Sequence, residues 1–70
     1  MTTSEAIAFY SIKLTRARNE DIKRAYHSIL DAFKAYDYND AIACIHTNVK
    51  VTYNTTRRAV YRKALHELDI

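Results

Sequence analysis

The side chains best suited to chemistry form a basic stretch in the C-terminal half of the chain. No acidic residue lies between Asp40 and Glu67. The stretch carries several cations and two histidines, namely Lys50, Arg57, Arg58, Arg62, Lys63, His46 and His66. Such cations can neutralise phosphate groups, whose contacts supply most of the non-specific affinity of proteins for nucleic acid. The pattern is also typical of a solvated helix face on which Arg and Lys stems cover apolar surface, so both interpretations stay open.

Residues that could support catalysis or bind a metal are few and unsuitably spaced. Cys44, the one cysteine, and His46 are two residues apart and would point to different sides of a helix. Asp37 and Asp40 stand at a predicted helix start, where capping accounts for both. The chain has no Gly, which excludes a P-loop and a dinucleotide-binding fingerprint. We therefore expect a protein with no catalytic site, no metal and no cofactor.

Length and composition favour one small helical domain. The 70 residues contain neither Gly nor Pro, and 49% of them are hydrophobic. We predict an all-α fold, a compact bundle of three to four helices that spans residues 1–70 as a single domain. The first residues lack the pattern of a signal peptide, and no apolar stretch approaches the ~20 residues of a membrane span. The expected location is therefore the cytoplasm, without membrane contact.

Four helical segments follow from apolar spacing and capping residues. They are predicted over about residues 4–17, 20–35, 39–46 and 55–68. The expected N-caps are Thr2, Asn19 and Asp37. The second segment has the clearest apolar stripe, which consists of Ile22, Ala25, Tyr26, Ile29, Phe33 and Tyr36. Ile29 and Phe33 lie in the middle of this stripe and are the predicted central core positions.

Residues 49–53 are ambiguous. The sequence Val-Lys-Val-Thr-Tyr alternates in polarity and includes β-branched residues, which is a strand signal. A single short strand needs a partner, and the chain offers no second convincing one. The segment could pair across a dimer, but we favour an extended linker between helices. A core of this size gains from oligomerisation, so a homodimer is compatible with the sequence.

A segment of the C-terminal half is similar to a known DNA-binding motif. Residues 51–60, Val-Thr-Tyr-Asn-Thr-Thr-Arg-Arg-Ala-Val, resemble the turn and recognition helix of helix-turn-helix DNA-binding domains. The resemblance covers about residues 42–61, with Ile45, Val49 and Val51 at positions that the family buries. It implies that the C-terminal half of the bundle is helix-turn-helix-like.

The resemblance also implies roles for individual residues. Thr52 would cap the recognition helix, and Thr56 and Ala59 would be buried. Four side chains would face the major groove of DNA, where Arg can hydrogen-bond guanine through two N–H groups. These are Tyr53, Asn54, Arg57 and Arg58.

Helical periodicity gives the fourth segment a different orientation. Its apolar residues are Val60, Tyr61, Ala64, Leu65 and Leu68. At about 100° per residue they centre near the direction of Arg57, which would lie over the apolar edge and could pair with an acidic residue. The outward face would then consist of Arg58, Arg62 and Lys63, with Thr55 and His66. One straight helix cannot satisfy both orientations.

Two functions from different classes fit these observations. The first is regulation by binding DNA or RNA, with the candidate contacts Lys50, Tyr53, Asn54, Arg57, Arg58, Arg62 and Lys63. The alternative is a small adaptor or inhibitor that docks on a larger protein with an acidic surface. Tyr38 and Tyr53 fall outside the apolar stripes and are candidate interface residues for it, because exposed Tyr is favoured at hot spots. The composition is similar to that of accessory proteins of phages and mobile elements.

Overall fold

The computed structural model describes residues 1–68 and contains four α-helices. They are α1 (Thr3–Arg16), α2 (Glu20–Ala35), α3 (Tyr38–Val51) and α4 (Thr55–Leu68). The described residues include no strand, so the prediction of an all-α bundle is confirmed. Within this range, none of the helices combines the length and the hydropathy needed to span a bilayer.

Polar side chains begin the first three helices, as the sequence predicted. The Thr2 hydroxyl accepts a hydrogen bond from the Glu5 amide at 3.1 Å, and the Glu5 carboxylate accepts one from the Thr2 amide at 2.9 Å. The Asn19 side chain accepts from two amides of α2, and the Asp37 carboxylate accepts from the Asp40 amide at 2.9 Å. These bonds satisfy amides that a helix leaves unpaired at its start.

Helix α2 is central and packs against each of the other three helices. Its buried side chains include Ala25, Ile29 and Phe33, of which Ile29 is 0% and Phe33 2% exposed. The Tyr10 ring of α1 stacks on the Phe33 ring with their centroids 6.5 Å apart, and Ile45 of α3 is also fully buried. The predicted central positions of Ile29 and Phe33 are therefore confirmed.

Helix α3 is longer than predicted. It continues to Val51 instead of ending at His46. The prediction of a linker or strand over residues 49–53 is therefore wrong for most of that segment. Val49 packs against the buried core, and the Thr52 amide still donates a helical hydrogen bond at 3.0 Å. Packing of the helix overrides the strand preference of the β-branched residues.

Tyr36 leaves the apolar stripe to which its spacing assigned it. It is the C-cap residue of α2, its backbone is extended, and its side chain is 53% exposed. Because the helical period no longer applies after the last helical residue, the prediction that Tyr36 faces inward is wrong.

Candidate nucleic-acid interface

Helices α3 and α4 are joined by a turn of three residues, 52–54. The Asn54 side-chain oxygen accepts a hydrogen bond from the Arg57 amide at 3.0 Å, and the Asn54 carbonyl accepts one from the Arg58 amide at 3.0 Å. Asn54 is therefore the N-cap of α4. The helix-turn-helix resemblance placed this cap at Thr52. That placement is wrong, because α3 continues to Val51 and moves the turn along the chain.

Arg58 fastens the turn from the α4 side. Its guanidinium donates to the Thr52 carbonyl, from Nε at 3.1 Å and from Nη2 at 2.6 Å. Thr52 is the C-cap of α3, so the cation also offsets the partial negative charge at the end of that helix. Arg58 is half-buried, and the prediction that it projects from the outward face is wrong.

Arg57 lies at the apolar edge of α4, as helical periodicity predicted. Its side chain is half-buried, and its Nε atom is buried without a hydrogen-bond partner in the described part of the chain. Within residues 1–68 Arg57 does not form the expected pair with an acidic residue, since the ion pairs there join Lys13 to Glu67 and Lys23 to Glu20. Arg57 is therefore poorly placed to reach the edge of a base.

The exposed side of α4 is a stripe at helical spacing that consists of Thr55, Ala59, Arg62, Lys63 and His66. It extends for about 16 Å along the helix at 1.5 Å per residue. Lys50, in the last turn of α3, and Tyr53, in the turn before α4, are exposed as well, with Tyr53 at 95%. Four of the seven candidate contacts are therefore open to solvent, and the other three, Asn54, Arg57 and Arg58, are half-buried. We call Lys50, Tyr53, Arg62 and Lys63 the basic face.

Two positions that the helix-turn-helix resemblance buries are exposed. Val51 is 60% exposed, and Ala59 lies on the exposed stripe of α4. Asn54 and Arg58, which the resemblance directs towards bases, are engaged in the turn. The orientation of α4 thus follows its own apolar periodicity.

Glu67 is withdrawn from the exposed side of α4. Its Oε2 lies 3.3 Å from the Lys13 ammonium, and its Oε1 accepts a hydrogen bond from the Tyr10 hydroxyl at 3.1 Å. Tyr10 is fully buried, and burial together with the Glu67 carboxylate raises the pKa of its hydroxyl. As the ordinary tyrosine pKa is already about 10, Tyr10 stays neutral near pH 7 and serves as a donor. The apolar spacing placed Tyr10 in the core but did not reveal this network.

Tyr38 is part of the core packing. It is half-buried, its ring lies 5.6 Å from the Phe33 ring, and its hydroxyl donates to the Leu68 carbonyl at 3.1 Å. As the first residue of α3 it tethers that helix to the end of α4. Tyr38 is less exposed than Tyr53, and the assignment of either residue to an interface stays a prediction.

Other candidate chemistry finds little support in the described residues. Cys44 is a half-buried free thiol, and residues 1–68 contain no group of three or more His, Cys, Asp or Glu placed to hold a metal ion. A groove beside α1, which the sequence did not reveal, has Ile12 on its wall. Ile12 falls outside the apolar stripe of its helix, and this position was the one feature of the sequence that could have indicated the groove. No family model, no curated protein and no solved structure matches this chain.

Proposed function

We propose that this chain is a non-enzymatic regulatory protein of the cytoplasm that binds nucleic acid through the phosphate backbone. The observation that carries the proposal is an exposed side of α4 with cations and no carboxylate. Arg62 and Lys63 project from it, whereas Glu67, the acidic residue of α4, is paired with Lys13. Phosphates that approach this side meet positive charge that no carboxylate of residues 55–68 offsets from the same side.

The basic face suits backbone contacts better than base reading. Lys50, Arg62 and Lys63 each offer a charged group for one phosphate, and such contacts carry no sequence information. The side chains that could read bases, Asn54 and Arg58, are held by the turn. The exposed Tyr53 ring adds a surface on which an unpaired base can stack. We therefore expect binding with little preference among sequences.

The salt dependence of binding tests this proposal. We would measure fluorescence anisotropy with labelled duplexes of two unrelated sequences, and with a single strand, over a series of salt concentrations. Three phosphate contacts predict a slope of about −2.7 for the logarithm of the association constant against that of the salt concentration. Arg62→Gln should reduce the slope by about 0.9 and weaken binding to both sequences alike.

The matched control is Arg24→Gln. Arg24 is an exposed Arg of α2, about 200° around the helix from Ile22, which adjoins α4 in a shared groove. Its replacement changes the net charge by the same amount and should leave the slope unchanged. If both variants reduce the slope equally, net charge and not the basic face determines binding.

A comparison of the DNA affinities of Arg57→Ala and Arg62→Ala distinguishes the two orientations of α4. We expect Arg62→Ala to have the larger effect, because Arg57 is half-buried. A loss of about 1–3 kcal/mol with Arg57→Ala on one sequence alone would restore the helix-turn-helix orientation. If the wild-type protein binds neither duplex nor single strand at low salt, the proposal fails and the alternative of an adaptor for a protein partner takes its place.

A further inference from the structure

A groove lies between α1 and the first half of α2, and neither Lys50 nor Tyr53 lines it. Its volume is about 630 Å³, and its apolar lining consists of Phe9, Ile12, Ala17, Ile22 and Tyr26. Two cations, Lys13 and Arg16, complete the lining. Ile12 is 53% exposed, so a large aliphatic side chain of the groove wall is in contact with solvent. Apolar surface of this kind, rimmed by charge, is typical of sites that bind a ligand or a protein.

The aromatic walls of the groove are supported from behind. The Phe9 ring contacts Tyr10 edge to face at 5.0 Å, and the Lys13 ammonium lies 4.9 Å from the centre of the same ring. The Tyr26 ring lies 6.0 Å from the buried Tyr10 ring. Because these contacts fix the walls in the free protein, an occupant loses little free energy in ordering them.

The charge of the groove selects the occupant. No carboxylate lines it. Lys13 is paired with Glu67, but Arg16 is exposed and forms no ion pair with any residue that the structure describes. Among the acidic residues at the start of α2, Glu20 is paired with Lys23. An occupant with carboxylates beside its apolar side chains therefore complements the rim.

We propose that this groove binds an amphipathic acidic helix of a partner protein. The walls are helices, and a groove between helices accepts the apolar face of a third helix. A second groove of about 510 Å³ adjoins the first and shares Ile22 and Tyr26 with it. Side chains at i, i+4 and i+7 of one helix can therefore occupy both grooves across this shared ridge.

A second copy of this chain is a poorer occupant. Among residues 1–68 the most exposed apolar side chains are Val51 and Tyr53, which are close to Lys50 in sequence and would bring a cation towards Arg16. The occupant we infer is therefore a different protein with an acidic helix. No residue that lines the first groove belongs to the basic face, whereas Lys63 lines the second groove. The test of this inference therefore uses substitutions in the first groove alone.

The test uses a designed, fluorescein-labelled helical peptide with Leu at i, i+4 and i+7 and Glu on the flanking positions. We would measure its dissociation constant for the full chain by anisotropy, together with a peptide of the same composition whose Leu residues are dispersed around the helix. We expect Ile12→Glu to weaken binding of the amphipathic peptide about tenfold or more, because it places a carboxylate in the apolar wall. Val51→Glu introduces the same charge at another exposed apolar position and should leave binding within about twofold.

The second part of the test reverses the charge of Arg16. Arg16→Glu should weaken binding of the Glu-flanked peptide and strengthen binding of a Lys-flanked version, which a merely misfolded variant would not do. Equal binding of the amphipathic and dispersed peptides, or no effect of Ile12→Glu, would overturn the proposal. A concentration-dependent dimer in sedimentation equilibrium that Ile12→Glu dissolves would show that a second copy fills the groove, and would overturn it too. Ile12→Glu should leave DNA binding intact, so failure here is distinguishable from failure of the proposed function.

Discussion

Replacement of Tyr10 by Phe removes one hydroxyl group from the interior and keeps the buried ring. The hydroxyl donates to the Glu67 carboxylate at 3.1 Å, and a hydrogen bond to a charged group stabilises a fold by about 1.5–3 kcal/mol. In the variant the Glu67 carboxylate would still be 23% exposed and paired with Lys13 at 3.3 Å, so it would not become a buried charge without a partner. We therefore expect Tyr10→Phe to lower the free energy of unfolding by about 1–2 kcal/mol at neutral pH.

Alkaline pH should remove this difference. Burial and the Glu67 carboxylate raise the pKa of Tyr10 above its ordinary value of 10.0. Above that value the unfolded chain loses the hydroxyl proton while the folded chain retains it, so the unfolded state binds fewer protons and stability falls as pH rises. The slope is about 1.4 kcal/mol per pH unit for one group, and the contribution is fully present below about pH 10. The Phe variant has no hydroxyl to titrate at this position, so its free energy of unfolding does not fall for this reason. The two proteins should be equally stable at roughly pH 11.

Urea denaturation followed by far-ultraviolet circular dichroism measures both effects. The quantity of interest is the difference in unfolding free energy between wild type and Tyr10→Phe at each pH, because other titrating groups cancel in it. Tyr53→Phe is the control, since its ring is 95% exposed and its hydroxyl should contribute little at any pH. A difference that stays constant from neutral pH to well above pH 10 would refute the assignment of Tyr10 as a buried donor to Glu67.

Four further substitutions test the packing and the turn by urea denaturation. Phe33→Ala should cost about 3–5 kcal/mol, which is most of the stability of so small a domain. A variant whose free energy of unfolding stays within about 1 kcal/mol of the wild type would contradict the central position of α2. Asn54→Ala should lower the free energy of unfolding by about 1 kcal/mol, and Thr52→Ala should lower it clearly less. The reverse order would place the N-cap of α4 at Thr52. Arg57→Met should be neutral or stabilising by up to about 1 kcal/mol, because it removes a buried donor that has no acceptor among residues 1–68. A marked loss of stability would show that the donor has a partner.

Local signals in the sequence located most of the fold. The bounds of α2 and α4 agree with those predicted. The N-cap Asn19 and apolar periodicity both mark α2, whereas apolar periodicity alone marked α4. The end of α3 could not be found in this way. The alternation of residues 49–53 is a local strand signal, whereas Val49 is kept helical by packing that only the assembled bundle supplies.

The candidate site shows where periodicity stops being informative. The angular position of Arg62 and Lys63 was enough to predict their exposure, since their side chains follow the direction of the helix face. Arg58 shares that face, yet its long side chain folds back over the turn to a carbonyl six residues earlier. Tyr38 likewise sits outside every stripe but reaches Leu68, thirty residues away. Contacts of this kind depend on tertiary distances that residue spacing does not encode.

The ion pair between Lys13 and Glu67 links the charge of both proposed surfaces. It withdraws the acidic residue of α4 from the basic face and at the same time neutralises one of the two cations that line the α1–α2 groove. Arg16 is consequently the open cation of the groove, and Arg62 and Lys63 are the open cations of α4. One buried hydroxyl, that of Tyr10, holds the Glu67 carboxylate in this position. The charge pattern that separates the proposed phosphate-binding surface from the proposed acidic-helix groove thus depends on a network whose stability the Tyr10→Phe experiment measures.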